Sequence, residues 1–209
     1  MSSYALMQTA HTQPARELRL KAGLANVHNA IDNQLGRSFF TNTTQELGLR
    51  LGVADFMDLG LSPFMGTGAS VDAKANLLDN RQRAAFGPRL LTGYAFGSER
   101  GVFSVEVGVI GSYRVVDWLE PYAGLSFANH WFSGENRDLT AELAFNQRFA
   151  TRRGYGDGLI KSAFGVDLRI ATHVHGLLEY GHWFVAQNDP GDGYGFLAND
   201  NLSVSIAWQ

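Results

Sequence analysis

Three residues near the middle of the chain are of the types a hydrolase needs. His130, Ser133 and Glu135 fall within the stretch HWFSGEN. An imidazole, a hydroxyl and a carboxylate are the parts of a nucleophilic triad. The spacing argues against one, because two residues on the same face of a strand are two apart and this His and Ser are three apart. The plainer reading is an aromatic strand end running into a loop. His173 and His175, in ATHVHG, stand at i, i+2, which would let both face one metal ion. No third ligand is evident, and an exposed turn is expected. The stretch NDPGDGYG offers oxygen donors on a glycine-rich loop without the spacing of a calcium loop. The sequence therefore assigns no metal and no cofactor.

A second set of residues carries charge rather than catalytic chemistry. Arg19, Lys21, Glu46, Arg50, Arg89, Glu106, Lys161, Asp167 and Arg169 all sit in segments that alternate with period two. Such alternation marks β-strands, whose successive side chains point to opposite faces. In GLIKSAFGVDLRIA, Ile160, Phe164, Val166, Leu168 and Ile170 share one face. Lys161, Ala163, Gly165, Asp167 and Arg169 share the other. In QELGLRLGV, Leu47, Leu49, Leu51 and Val53 oppose Glu46, Gly48, Arg50 and Gly52. The closing segment LSVSIAWQ sets Leu202, Val204, Ile206 and Trp208 against Ser203, Ser205 and Ala207.

Composition narrows the class. The chain has 209 residues, no cysteine, 24 glycines and 12% aromatics. Charged residues make up 18%, below the ~25% usual for soluble domains. The net charge of −3, with no basic run, gives no footprint for nucleic acid. No apolar run reaches the ~20 residues of a membrane helix. That test is blind to membrane barrels, whose strands alternate.

In chain order, residues 1–14 read as a flexible lead-in and 15–209 as one domain. Residues 1–15 lack a basic start and a long apolar core, so they are not an intact secretion signal. A removed signal is expected. The first strand spans about Arg16–His28, with a polar loop at Asn29–Thr44 before the second. Pro63 lies within the third strand, where an interior sheet position would resist it. Residues 69–84 read as a loop, a short helix or a weak strand near Val71–Leu77. In residues 134–150, Leu139, Leu143 and Phe149 have helical spacing, which predicts a short helix in a loop.

The strands are 9–13 residues long, longer than the ~5–6 of globular sheets and close to the ~9–11 of a tilted membrane strand. Lipid tolerates strands only when closed into a ring. Charges of both signs on the small-residue face suit a salt-bridged lumen. Trp118, Tyr122, Trp131, Phe132, Trp183, Phe184 and Trp208 cluster near strand ends, where interfacial girdles belong. Short and long loops alternate, as in membrane barrels. The expected fold is a closed antiparallel up-and-down barrel of about ten strands, with eight or twelve also open.

With its dyad strands, the turns VADFMDLG and VVDWLEP and the closing strand LSVSIAWQ, the chain resembles the small outer-membrane β-barrels of Gram-negative bacteria. The resemblance covers roughly residues 16–209. In that class the last strand usually ends in an aromatic; here Gln209 follows Trp208. It implies a bacterial outer-membrane location and surrounding lipid and lipopolysaccharide. It also implies the barrel-insertion machinery as a partner in biogenesis, with a protein partner reached through loops. The implied role is non-enzymatic: a scaffold, a loop-mediated binding surface or a narrow pore. The alternatives are an enzyme on outer-leaflet lipid, of lipid A deacylase or acyltransferase type, using His130, Ser133 and Glu135, and a soluble ligand-binding barrel.

Overall fold

A computed structural model describes residues 8–33, 36–64, 68–96, 101–133, 158–185 and 195–209. They form ten antiparallel strands in sequence order: β1 (Leu18–Asn33), β2 (Gly36–Ala54), β3 (Met57–Phe64), β4 (Gly68–Ala75), β5 (Ala84–Phe96), β6 (Gly101–Tyr113), β7 (Leu119–Ser133), β8 (Gly158–Ala171), β9 (Val174–Val185) and β10 (Gly195–Trp208). Each strand pairs with its sequence neighbours, and β1 pairs with β10 to close the ring. The ambiguous stretch 69–84 therefore supplies β4, and the strand count is ten. The helix expected within 134–150 lies outside the described residues.

Two boundaries differ from expectation. The segment read as a polar loop, Asn29–Thr44, continues β1 and β2 up to the pairing of Asn33 with Gly36. Strand pairing needs only backbone, so it outlasts the region where alternation has an apolar face to serve. Pro63 sits in β3 beside Ala69 of β4, but the described β2–β3 ladder ends at Leu49–Leu61. Its missing N–H therefore costs no hydrogen bond on that side.

One end of the barrel carries the tight links at Asp55–Phe56, Asn76–Arg83, Arg114–Trp118 and Thr172–His173. The start of β1 and the end of β10 lie at this same end. The aliphatic rows face outward. Leu47, Leu51, Leu90, Val107, Leu125, Phe164, Val204 and Ile206 are exposed. The opposite row is buried: Asp58, Lys74, Glu106, Lys161, Glu179, Asn201 and Ser203 are nearly or wholly inaccessible. This is the reverse of a soluble barrel, which would enclose its greasy face.

Candidate functional site

The lumen is the part of the molecule where chemistry-bearing side chains converge. Arg50 of β2 stands at its centre and bridges two acids. It donates to Asp58 of β3 through one terminal nitrogen. Through the other it donates to Asp72 of β4, at 2.7 Å from Oδ1. Lys74 lies 3.5 Å from Asp58, and Arg89 of β5 lies 3.6 Å from Asp72. Arg89 also donates to Glu106 of β6 at 2.8 Å, and Ser126 of β7 donates to that same carboxylate at 2.9 Å. The chain of ions thus runs across five neighbouring strands and ends on a sixth. Gly60 is what lets it close: a Cβ there would lie 2.2 Å from Asp72 Oδ1 and 2.6 Å from the Arg50 guanidinium.

The wall across the lumen is built differently. The Tyr122 hydroxyl donates to Glu179 at 2.9 Å, and Lys161 Nζ lies 4.9 Å from the centroid of the Trp183 ring. Both aromatics are buried inward, at 3% and 5% exposure. The girdle expectation for Tyr122 and Trp183 is therefore corrected, since each has a charged partner that only the lumen supplies. Trp118 and Trp208 are exposed, at the short-link end. Trp131 and Phe132 lie in β7 and Phe184 in β9, with side chains outside the described set.

Nearer the short links, Arg19 donates to Asp167 at 3.0 Å, and His175 Nδ1 lies 2.7 Å from the other oxygen of that carboxylate. Lys21 lies beside Arg19 and Arg50 around a cavity of about 40 Å³. Arg169 departs from the expected network: it is exposed at the rim and donates to the Thr172 carbonyl at 3.3 Å. The β8–β9 register shifts between Arg169 and Ala171, at the end of the strand. Glu46 pairs with Gly23 in the β1–β2 ladder, and its side chain is outside the described set.

Residues 8–13, within the segment expected to be a loose lead-in, enter the barrel instead. Residues 8–13 are all under 8% exposed. Ala10 N donates to Ser112, Gln13 N donates to Asp58, and Lys74 Nζ donates to the carbonyls of Thr9 and His11 at 2.7 and 2.6 Å. His11 contacts Glu120 at 2.6 Å through one ring nitrogen and the Gln82 carbonyl at 3.0 Å through the other. Ala10 packs into a small apolar cluster with Ile110, Tyr122 and Leu177. A Cβ on Gly52 would lie 1.9 Å from the Pro14 carbonyl oxygen, so glycine is what lets this strap leave the lumen over β2. Arg16, at φ 71°, then turns the chain into β1.

Sequence reading missed Asp58, Asp72, Lys74, Glu120, Glu179 and His11. For Asp72 and Lys74 a signal existed: SVDAKA alternates Val71 and Ala73 against Ser70, Asp72 and Lys74. The side chains of the hydrolase set lie outside the described set. His130 and Ser133 stand in β7 opposite Ser104 and Gly101, and Glu135 lies outside the described residues. Among the described residues no cluster of three or more His, Cys, Asp or Glu could hold a metal ion.

Solved structures with this ring are outer-membrane proteins. The outer membrane protease OmpT of Escherichia coli superposes with a TM-score of 0.53 at 9% identity, over 96% of this chain and 99% of that one. The fold is that of the bacterial outer-membrane β-barrels. Neisserial surface protein A matches at a TM-score of 0.44 and 12% identity, over 91% of this chain and 96% of that one. The attachment invasion locus protein Ail of Yersinia pestis matches at 0.41 and 11%, over 93% and 98%. No protein-family model matches the sequence, and no curated protein matches it significantly. At these identities the likeness carries the outer-membrane barrel fold and no activity.

Proposed function

We propose that this chain is a non-conducting, non-enzymatic barrel of the Gram-negative outer membrane. It holds its long-loop end at the cell surface as a scaffold or binding surface. The observation that carries this reading is the strap. Residues 8–13 cross the lumen near its short-link end, and the Arg50 ion chain occupies the section above it. Short links face the periplasm in barrels of this kind, so the strap closes the inner mouth. A barrel of about ten strands has little lumen to spare once side chains enter it.

The test is planar-bilayer recording of the folded chain. Silence is expected; discrete, reproducible conductance steps overturn the plugged scaffold and favour a pore. Comparison of lipid A mass spectra from strains expressing the protein or its His130→Ala and Ser133→Ala variants addresses the enzyme alternative. Identical spectra are expected, and a product lost in either variant overturns the non-enzymatic reading.

A further inference from the structure

The short-link end of the lumen opens into a cavity of about 310 Å³ beneath the strap. That is the lower end of the size range of small-ligand sites. Two of the three acids on its wall are already engaged, the third being the exposed Asp117. Asp167 is held by Arg19 and His175, and Glu120 by His11 and by Arg114 at 3.7 Å. Two basic residues on its wall keep polar atoms that these pairs do not use. Arg169 contacts only a carbonyl, that of Thr172, among the described residues. His175 Nε2 is buried and has no partner among the described residues. The two residues sit directly opposite each other in the β8–β9 hairpin, and cross-strand partners project to the same face with Cβ atoms ~5 Å apart.

We propose that this mouth binds a small oxyanion, a carboxylate or phosphate group, between the Arg169 guanidinium and the His175 imidazole. Guanidinium groups match the two oxygens of such anions with parallel N–H donors. His175, which contacts Asp167 through Nδ1 at 2.7 Å, presents Nε2 to the same anion. The buried Nε2 gains the partner that buried polar groups ordinarily have. Trp118, whose carbonyl accepts from Arg169 N at 2.9 Å, forms the exposed rim of the mouth. The site faces the side of the short links, so its natural ligand is a soluble anion or an anionic group on a periplasmic molecule.

The experiment is a titration of the detergent-folded full chain, histidine-labelled with ¹⁵N, with sodium phosphate and separately with sodium acetate. Sodium chloride at matched ionic strength is the control. A saturable shift of the His175 ring nitrogens is expected with one or both oxyanions, with the exposed His173 as an internal reference. In Arg169→Gln the dissociation constant is expected to rise at least about tenfold, equal to about 1.4 kcal/mol. Arg169 is exposed, so the variant folds, and heat-modifiable gel migration checks this. No saturation up to about 10 mM, tenfold above a weak 1 mM site, overturns the proposal. So does a shift reproduced by chloride, or one unchanged in Arg169→Gln.

Discussion

The two walls of the lumen solve one problem in two ways. Across β2–β6, buried charge is neutralised by other charge: Arg50, Asp58, Asp72, Lys74, Arg89 and Glu106 form a continuous chain. Across β7–β9, buried charge meets aromatic rings: Glu179 takes a phenol hydroxyl and Lys161 lies over an indole. The ionic wall is a network, so each ion has more than one neighbour and losing a central one strands several. The aromatic wall instead sets each of these charges against a ring or a ring hydroxyl. The strap is held at its backbone by Lys74 and Asp58 of the ionic wall, while β7 gives it the Glu120 contact to His11 and Tyr122 and Leu177 pack with Ala10. Electrostatic coupling across strands, rather than packing, is therefore what the inner plug depends on.

The sharpest way to break this contrast is Arg50→Met. It removes the cation shared by two buried carboxylates, and breaking a buried pair on one side costs about 3–5 kcal/mol. Urea unfolding in lipid vesicles, followed by heat-modifiable migration, should show a loss of that size. Adding Asp72→Asn to the same variant should restore much of it, because Asp58 then keeps Lys74 and Glu106 keeps Arg89. A single variant as stable as the parent would show that the ionic wall is not a network. Tyr122→Phe tests the other wall and should cost less, about 1.5–3 kcal/mol, the worth of a hydrogen bond to a charged group. The same assay reads it, and a loss equal to that of Arg50→Met would erase the distinction between the walls.

The distinction could not be read from the sequence, although the barrel could. Alternation in segments such as Gln45–Val53 and Leu202–Trp208 sorts residues onto two faces whatever the tertiary pairing, because it is fixed by strand geometry. Partner choice is another matter. Arg50 meets Asp72 across an intervening strand, and that meeting depends on register between strands, which no local pattern encodes. Tyr122 and Trp183 read as girdle residues because aromatic type and strand-end position suggest it; only the neighbours Glu179 and Lys161 reveal that they face inward. The strap was illegible for a related reason. QTAHTQ has no period and little apolar content, and everything that orders it comes from residues 40 to 110 positions away.

The smallest effect expected is that of Lys161→Met. Met keeps most of the length and volume of Lys and places a polarisable sulfur near the Trp183 ring, a contact that is itself favourable. What is lost is the cation over the ring, worth about 1–2 kcal/mol at a desolvated site. Lys161 makes further interactions besides this one, so the total also reflects them, and a comparison variant is needed. Trp183→Leu removes the ring and leaves the ammonium. If the ring is the principal partner of Lys161, the double variant should cost clearly less than the sum of the two single changes, with a coupling near 1 kcal/mol by double-mutant cycle. Additive losses would mean that Lys161 is held by its other contacts, and the contrast between the walls would then be tested by the Tyr122–Glu179 hydrogen bond.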